Sequence, residues 1–118
     1  MTCKPGDLVL IPFPSEDLQS PKRRRVLVLT APNQHGDFIA LAVTSVPPPE
    51  HGLEIGTDFL TSGTLPCQSW VRQDKIFTLS EDDSVKAFGR VTPDFLRNVF
   101  DGLRELIGQE NSSTQRPG

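Results

Sequence analysis

The segment PKRRRVLVLT, residues 21–30, places four cations directly before four apolar residues. A solvated strand would intersperse its charges, whereas Lys22–Arg25 stand together before the apolar run Val26–Leu29. A short apolar run followed by turn-forming residues is typical of a buried β-strand, here over residues 25–30. The sequence therefore predicts a basic surface at the end of a core strand.

The neighbouring segments predict that this strand belongs to an antiparallel sheet. The turn APNQHGD at 31–37 is rich in proline, asparagine and glycine. It joins the strand to the apolar run FIALAVTS at 38–45, which predicts a β-hairpin. Upstream, GDLVLIPF at 6–13 predicts another core strand, and the polar segment 14–24 is expected to form a long loop between the two.

Shorter strands are predicted in the second half of the chain. The loop at 46–52 contains three consecutive prolines, which cannot donate ladder hydrogen bonds. A short strand is expected at Leu53–Ile55, followed by an irregular stretch. Residues 68–79 predict a strand, a kink and a second strand, and residues 85–91 predict one more strand.

The apolar residues change to a helical period near the C-terminus. Thr92 is a good N-cap, Pro93 fits the first helical position, and Asp94 suits the positive end of the helix dipole. Gly108 predicts the end of the helix, and the polar tail at 109–118 is expected to be disordered. The apolar positions that recur at spacings of three and four are Leu96, Val99, Phe100, Leu103, Leu106 and Ile107.

The order of these elements predicts the fold class. Five to seven short strands followed by one amphipathic helix indicate a mainly β (α+β) fold, a small and strongly bent antiparallel sheet or barrel with the helix packed on it. The chain of 118 residues is the size of one domain, expected over residues 1–108. Its net charge of −3 argues against indiscriminate binding of long nucleic acids and leaves room for a local basic site.

The cysteines and histidines follow no metal-binding pattern. Cys3 and Cys67 are expected to be free thiols of a cytoplasmic protein, with a disulfide between them as the alternative. His35 and His51 lie in separate predicted loops. Neither a metal nor a cofactor is therefore expected. No apolar run approaches the ~20 residues of a membrane helix, and the N-terminus lacks the features of a signal peptide, so a protein of the cytoplasm without membrane contact is predicted.

Polar residues at predicted strand ends are the remaining candidates for a functional site. They are Arg24, Thr44, Arg72 and Asp74. Each has an ordinary alternative: Arg24 as a solvated loop cation and Thr44 as a β-branched strand residue. Arg72 and Asp74 have the alternative of a surface ion pair worth less than ~1 kcal/mol.

Five segments, in order along residues 4–108, are KPGDLVLIPFP, RRVLVLT, ALAVTS, SWVRQDKIFTL and GRVTPDFLRNVFDGLRELIG. Together they resemble the MazF/PemK toxins of bacterial toxin–antitoxin pairs. The resemblance implies an SH3-like barrel with a C-terminal helix, usually assembled as a homodimer. It also implies endoribonuclease activity on single-stranded RNA without a metal, and a cognate antitoxin protein as partner.

The resemblance also implies which residues are catalytic. The arginine before the VLV run is Arg24, the threonine of ALAVTS is Thr44, and an Arg-x-Asp pattern matches Arg72 and Asp74. In metal-free cleavage the adjacent 2′-hydroxyl attacks phosphorus and leaves a 2′,3′-cyclic phosphate and a 5′-hydroxyl. Arginine suits the negative charge that develops, because it is always protonated and offers bidentate donors. Thr44 is expected to donate to the same oxygens, Asp74 is the candidate base, and Arg24 either stabilises charge or protonates the leaving oxygen.

A wider set of residues is expected to contact RNA around these four. Trp70 and Phe77 are candidates for stacking against splayed bases, and their ordinary alternative is a place in the barrel core. The predicted RNA-binding residues are Lys22, Arg23, Arg25, Ser45, Ser69, Trp70 and Lys75.

Two other functions are compatible with the same fold. One is a non-catalytic SH3-like binding module, such as a degenerate toxin homologue that uses the same groove for a peptide or nucleic acid. The other is a gyrase-directed poison. Because a fold alone does not decide function, the three hypotheses have to be separated by the site and by experiment.

Overall fold

The computed structural model describes residues 3–13, 22–65, 67–83 and 86–114. These residues form one antiparallel sheet of seven strands, followed by a C-terminal helix. Two short 3₁₀ turns, Thr57–Phe59 and Glu81–Asp83, connect parts of the sheet. The elements are β1 (Asp7–Phe13), β2 (Lys22–Val28), β3 (Asp37–Thr44), β4 (Gly52–Ile55), β5 (Leu60–Gly63), β6 (Ser69–Ser80), β7 (Lys86–Val91) and α1 (Pro93–Thr114).

The sheet is curled into an open barrel. Its strand order is β4-β6-β3-β2-β1-β7-β5, and every neighbouring pair is antiparallel. The two end strands β4 and β5 line one cavity of about 530 Å³, so the curl brings both ends of the sheet to the same seam. The predicted fold class, a mainly β, SH3-like barrel with a C-terminal helix, is confirmed.

Both faces of the sheet are buried over part of their area. The inner face packs against the helix through Phe95 and Val99, which join one core with Leu8, Leu27, Leu29, Leu41, Ile55, Val71 and Val91. The outer face carries a second core of Cys3, Val9, Ile11, Val26, Val28, Phe38 and Ala40. Because side chains alternate along a strand, neighbouring residues of β1, β2 and β3 supply opposite cores.

The helix begins where the sequence predicted. The Phe95 N–H donates to Thr92 Oγ1 at 3.1 Å, and the Leu96 N–H donates to the Thr92 carbonyl at 3.0 Å, so Thr92 is the N-cap. The predicted end at Gly108 was wrong, because α1 continues to Thr114. Glycine ends a helix when it takes a left-handed conformation, and Gly108 is not one of the glycines with positive φ.

Three details of the sheet correct or refine the sequence prediction. Strand β2 begins at Lys22 rather than at residue 25, because its cations pair in register with β1, as in Ile11 opposite Arg24. The rest of the predicted loop, residues 14–21, lies outside the described residues. Strand β5 lies within the stretch predicted to be irregular. The expected kink in 68–79 is a register shift within the single long strand β6.

The two cysteines are not joined by a disulfide. Cys3 is buried in the outer core, and Cys67 is exposed. Within the described part of the chain, none of the helices is long and apolar enough to cross a membrane.

Candidate functional site

A pocket of about 270 Å³ lies on the outer face of the sheet, where β2, β3 and β6 run side by side. It brings together three of the four predicted catalytic residues, Arg24, Thr44 and Arg72. Among the described residues, the lining consists of Arg24, Arg25, Val26, Ala42, Val43, Thr44, Arg72, Lys75 and Phe77.

The register of the strands explains why these side chains converge. In the β2–β3 pair Arg25 lies opposite Val43, so Arg24 and Thr44 lie one step further along their strands and share the other face. In the β3–β6 pair Ala42 lies opposite Arg72. The single methyl group of Ala42 leaves open space between the longer side chains around it.

A bulge in β6 adds two more residues to the pocket. The adjacent residues Leu41 and Ala42 of β3 pair with Ile76 and Arg72, which are four apart in β6. Residues 73–75 are therefore extra residues in the ladder. Because of this insertion, Lys75 and Phe77 line the same pocket as Arg72, although strict alternation would turn Phe77 to the opposite face.

The pocket is a local concentration of positive charge. In the part of the chain that the structure describes, its lining includes the cations Arg24, Arg72 and Lys75 and no acidic residue, although the chain carries a net charge of −3. Arg25 also lines the pocket, but it alternates with Arg24 along β2, so its side chain lies on the other face. The guanidinium carbon of Arg25 also lies 5.8 Å from the centre of the Phe88 ring. A concave basic surface on an acidic protein attracts a localised anion such as a phosphodiester.

Arg72 is held by a bidentate ion pair with Asp74. Arg72 Nε donates to Asp74 Oδ1 at 3.1 Å, and Nη2 donates to Oδ2 at 2.8 Å. The ordinary ion-pair alternative is therefore present in the structure, and it is compatible with a site. An arginine has five N–H donors, so about three remain for a ligand after this pairing. Asp74 itself does not line the pocket and is linked to it through its hydrogen bonds with Arg72.

The same pairing sets the ionisation of both groups. The hydrogen bond to Asp74 raises the pKa of Arg72, and the hydrogen bond from Arg72 lowers the pKa of Asp74. Burial opposes both shifts, and the charge of His51 contributes to lowering the pKa of Asp74. A carboxylate with a lowered pKa is a weaker base, so the geometry favours Asp74 as the group that orients Arg72 over Asp74 as a proton acceptor.

Thr44 is oriented as a donor. Its Oγ1 accepts a hydrogen bond from the Val46 N–H at 3.1 Å. A hydroxyl that accepts a bond from the main chain still has its own proton to donate. Thr44 lies at the end of β3 and lines the pocket, so this proton is available to an oxygen bound there.

Two of the predicted RNA-binding residues lie beside the pocket, and one is turned away from it. Trp70 lies opposite Thr44 in the β3–β6 pair and is half-buried, and the exposed Ser45 directly follows β3. Ser69 is buried, and its hydroxyl donates to the Cys67 carbonyl at 3.0 Å. The predicted RNA contact of Ser69 is therefore not supported by its position.

The remaining predicted contacts divide into two groups. Arg25 and Lys75 line the pocket. Lys22 and Arg23 belong to β2, but their side chains lie outside the described residues. Phe77, considered as either a stacking surface or a core residue, is half-buried and lines the pocket.

The sequence prediction missed Gln73. This residue of the bulge is buried on the inner face, and its Nε2 donates to the Val99 carbonyl in α1 at 3.0 Å. Two signals point to it in retrospect: a glutamine at the inward position two residues after Val71, and Gly102 in the middle of the helix it meets.

The fold of the chain is similar to the folds of several solved structures. The MazE–MazF complex (Form-II) from Deinococcus radiodurans has a TM-score of 0.72 at 22% identity, over 90% of this chain and 96% of that chain. MazF (Form-I) from the same organism has a TM-score of 0.71 at 22% identity, over 92% and 98%. An endoribonuclease in complex with its cognate antitoxin from a mycobacterial species has a TM-score of 0.68 at 18% identity, over 90% and 95%.

The family itself is defined by sequence. Residues 4–107 match the family of PemK-like, MazF-like toxins of type II toxin–antitoxin systems. The chain belongs to this family, and the resemblance described above is confirmed. No curated protein sequence matches the chain significantly.

Proposed function

We propose that this chain is the toxin of a type II toxin–antitoxin system and acts as a sequence-specific endoribonuclease on single-stranded RNA, without a metal. The observation that supports the proposal best is the convergence of Arg24, Thr44 and Arg72 on one basic pocket. Three donors from three neighbouring strands around a space of about 270 Å³ are suited to one phosphodiester group and the sugar beside it.

The cleavage step follows from the donors. The 2′-hydroxyl loses its proton to solvent water as its oxygen attacks the adjacent phosphorus, the P–O5′ bond breaks, and the leaving 5′-oxygen takes up a proton, so the products are a 2′,3′-cyclic phosphate and a 5′-hydroxyl. Negative charge grows on the non-bridging oxygens, where Arg24, Arg72 and Thr44 donate hydrogen bonds. Preorganised donors of this kind contribute roughly 2.7–4 kcal/mol each to transition-state stabilisation. In this mechanism Asp74 holds Arg72 in its orientation, and Arg24 is the candidate donor to the leaving 5′-oxygen.

Substrate binding uses the surface around these donors. Lys75 extends the positive charge of Arg24 and Arg72 along the path of the RNA backbone, and such charge is the usual source of affinity for single strands. Phe77 lines the pocket and Trp70 lies beside Thr44, so both are placed to stack on bases next to the cleaved bond.

A cognate antitoxin is the proposed protein partner. Two of the similar solved structures contain a toxin together with its antitoxin. A pocket lined by cations is complementary to an extended acidic segment, which would neutralise the toxin by occupying the RNA path. We also propose that the active form is a homodimer that acts in the cytoplasm.

The test is incubation of the purified protein with a long single-stranded RNA in the presence of EDTA. Discrete fragments with 5′-hydroxyl and 2′,3′-cyclic phosphate ends are the expected result. Binding without cleavage would instead support the non-catalytic module, and stalled gyrase–DNA complexes would support the gyrase poison.

A further inference from the structure

Gln73 connects the bulge of β6 to the helix. Its side chain is 8% exposed, and its Nε2 donates to the Val99 carbonyl at 3.0 Å. Its main-chain N–H donates to the His51 carbonyl at 2.9 Å. Strand β4 pairs with β6 only as far as Arg72, which lies opposite Gly52. The hydrogen bond from Gln73 to His51 is therefore the next main-chain contact beyond the end of this ladder. The main-chain N–H and the side-chain amide of Gln73 therefore both hold the bulge in place.

The helix has a notch that fits this side chain. A Cβ atom on Gly102 would lie 2.2 Å from Gln73 Nε2 and 3.0 Å from its Cδ, so any larger residue at this position requires the Gln73 amide to move. Glycine is disfavoured inside helices relative to alanine, so its presence at the middle of α1 needs a reason. Gly108, in the same helix, would place a Cβ with nothing within 4 Å. The notch at Gly102 is thus specific to the contact with Gln73.

We propose that Gln73, seated in the notch at Gly102, is a positioning residue that fixes the bulge, and so keeps Asp74 paired with Arg72 and aims Arg72 and Lys75 at the substrate. Gln73 lies between Arg72 and Asp74 in the chain and points to the opposite face, so it touches none of the reacting atoms. A bulge disrupts the ladder locally and leaves its extra residues without ladder partners, so the hydrogen bonds of Gln73 to Val99 and His51 hold the chain at this point. The inference rests on the proposed nuclease function for its kinetic consequence, but its structural part is independent of that function.

The experiment compares two glycine-to-alanine variants in one helix. Gly102→Ala forces the Gln73 amide out of the notch, whereas Gly108→Ala adds the same methyl group in open space and is the matched control. Because a displacement of about 1 Å in a catalytic group costs ~100-fold, we expect kcat to fall by about 10- to 100-fold in Gly102→Ala, with KM little changed. Gly108→Ala is expected to cleave like the wild type.

A second readout does not require cleavage. NMR titration of the Asp74 carboxyl reports the Arg72–Asp74 pair directly, because Arg72 lowers the pKa of Asp74. In Gly102→Ala the pKa of Asp74 is expected to rise toward its ordinary value, and in Gly108→Ala it is expected to stay lowered. If the wild type cuts no RNA, the proposed function fails, but this titration still decides the structural part of the inference.

Gln73→Met repeats the test from the strand side. Methionine keeps the length of the side chain and removes the donor to Val99, and this variant replaces Gly102→Ala if the latter fails to fold. Loss of kcat together with a raised pKa of Asp74 supports the positioning role. If the pKa of Asp74 does not change in folded variants, the positioning role is overturned, whatever the cleavage rate. The role is also overturned if a variant with a raised pKa of Asp74 cleaves RNA as fast as the wild type.

Discussion

Replacement of Arg24 is the sharpest test of the proposed active site. Arg24 belongs to β2, is exposed to solvent and lines the pocket with Thr44 and Arg72. Exposed substitutions usually change the free energy of unfolding by no more than about 0.5 kcal/mol, so Arg24→Ala is expected to fold normally. Any effect on cleavage then comes from the loss of the guanidinium.

The size of the effect follows from the number of donors in the pocket. In the proposed mechanism Arg24 is one of three donors to a single phosphate, and removal of one preorganised donor typically lowers kcat by about 100- to 1000-fold, or ~2.7–4 kcal/mol. Arg24→Lys keeps the charge and loses the planar pair of donors, so its loss is expected to be intermediate. A helix arginine, Arg97, whose side chain is 70% exposed, provides the control Arg97→Ala.

The assay is single-turnover cleavage of a short single-stranded RNA at saturating protein, with binding measured separately by fluorescence anisotropy. The wild type and Arg97→Ala are expected to give the same rate constant. If Arg24→Ala also cleaves at that rate, Arg24 is not a donor in the transition state, and the assignment of the pocket as the active site is refuted.

Three further predictions concern the ion pair, the core and the helix cap. Since Arg72 lowers the pKa of Asp74, the pair stabilises the fold above the unfolded pKa of about 3.9 and loses this contribution as the pH falls through the folded value. In urea unfolding, the free energy of unfolding of Arg72→Ala should therefore fall less steeply with decreasing pH than that of the wild type. Phe95→Ala removes a ring that is 1% exposed and should cost about 3–5 kcal/mol in urea unfolding. Thr92→Ala removes the helix cap and should cost about 1 kcal/mol by the same measurement.

Each of these has its own control. If the free energy of unfolding of Arg72→Ala falls as steeply at acid pH as that of the wild type, the ion pair does not persist in solution. Ile107→Ala, at a side chain 43% exposed on the same helix, should cost much less than Phe95→Ala. Thr92→Ser keeps the hydroxyl and should retain the stability that Thr92→Ala loses.

The sequence predicted those elements that short-range signals specify. The Thr92–Pro93–Asp94 start of the helix is decided by local capping chemistry, and the hairpin of β2 and β3 is decided by a turn between two apolar runs. The start of β2 at Lys22 was missed because its first residues are cations, and their strand conformation comes from pairing with β1. Gly108 was misjudged because a glycine specifies a helix end only in a left-handed conformation.

The residues of the candidate site could be predicted from the sequence, but their spatial arrangement could not. Arg24, Thr44 and Arg72 were carried over from a family resemblance, and their convergence depends on the registers of two strand pairs. The length and position of the bulge are set where β3 and β6 pair, between residues that are 30 positions apart (Ala42 and Arg72) and 35 positions apart (Leu41 and Ile76) in the chain. A contact such as Gln73 with the helix at Gly102 is visible only once that meeting is known.

The open seam of the barrel predicts where the domain undergoes local opening. Strand β4 pairs only with β6, and β5 pairs only with β7, so each end strand in the described sheet uses one of its two edges. Amide hydrogen exchange should therefore be fastest at the outward-facing N–H groups of β4 and β5, and slowest in β1, β2 and β3 at the centre. The basic pocket spans β2 and β3 at the centre and also β6, which pairs with the end strand β4 through Gly52 opposite Arg72, so Arg72 is the part of the pocket that opening of β4 would reach first.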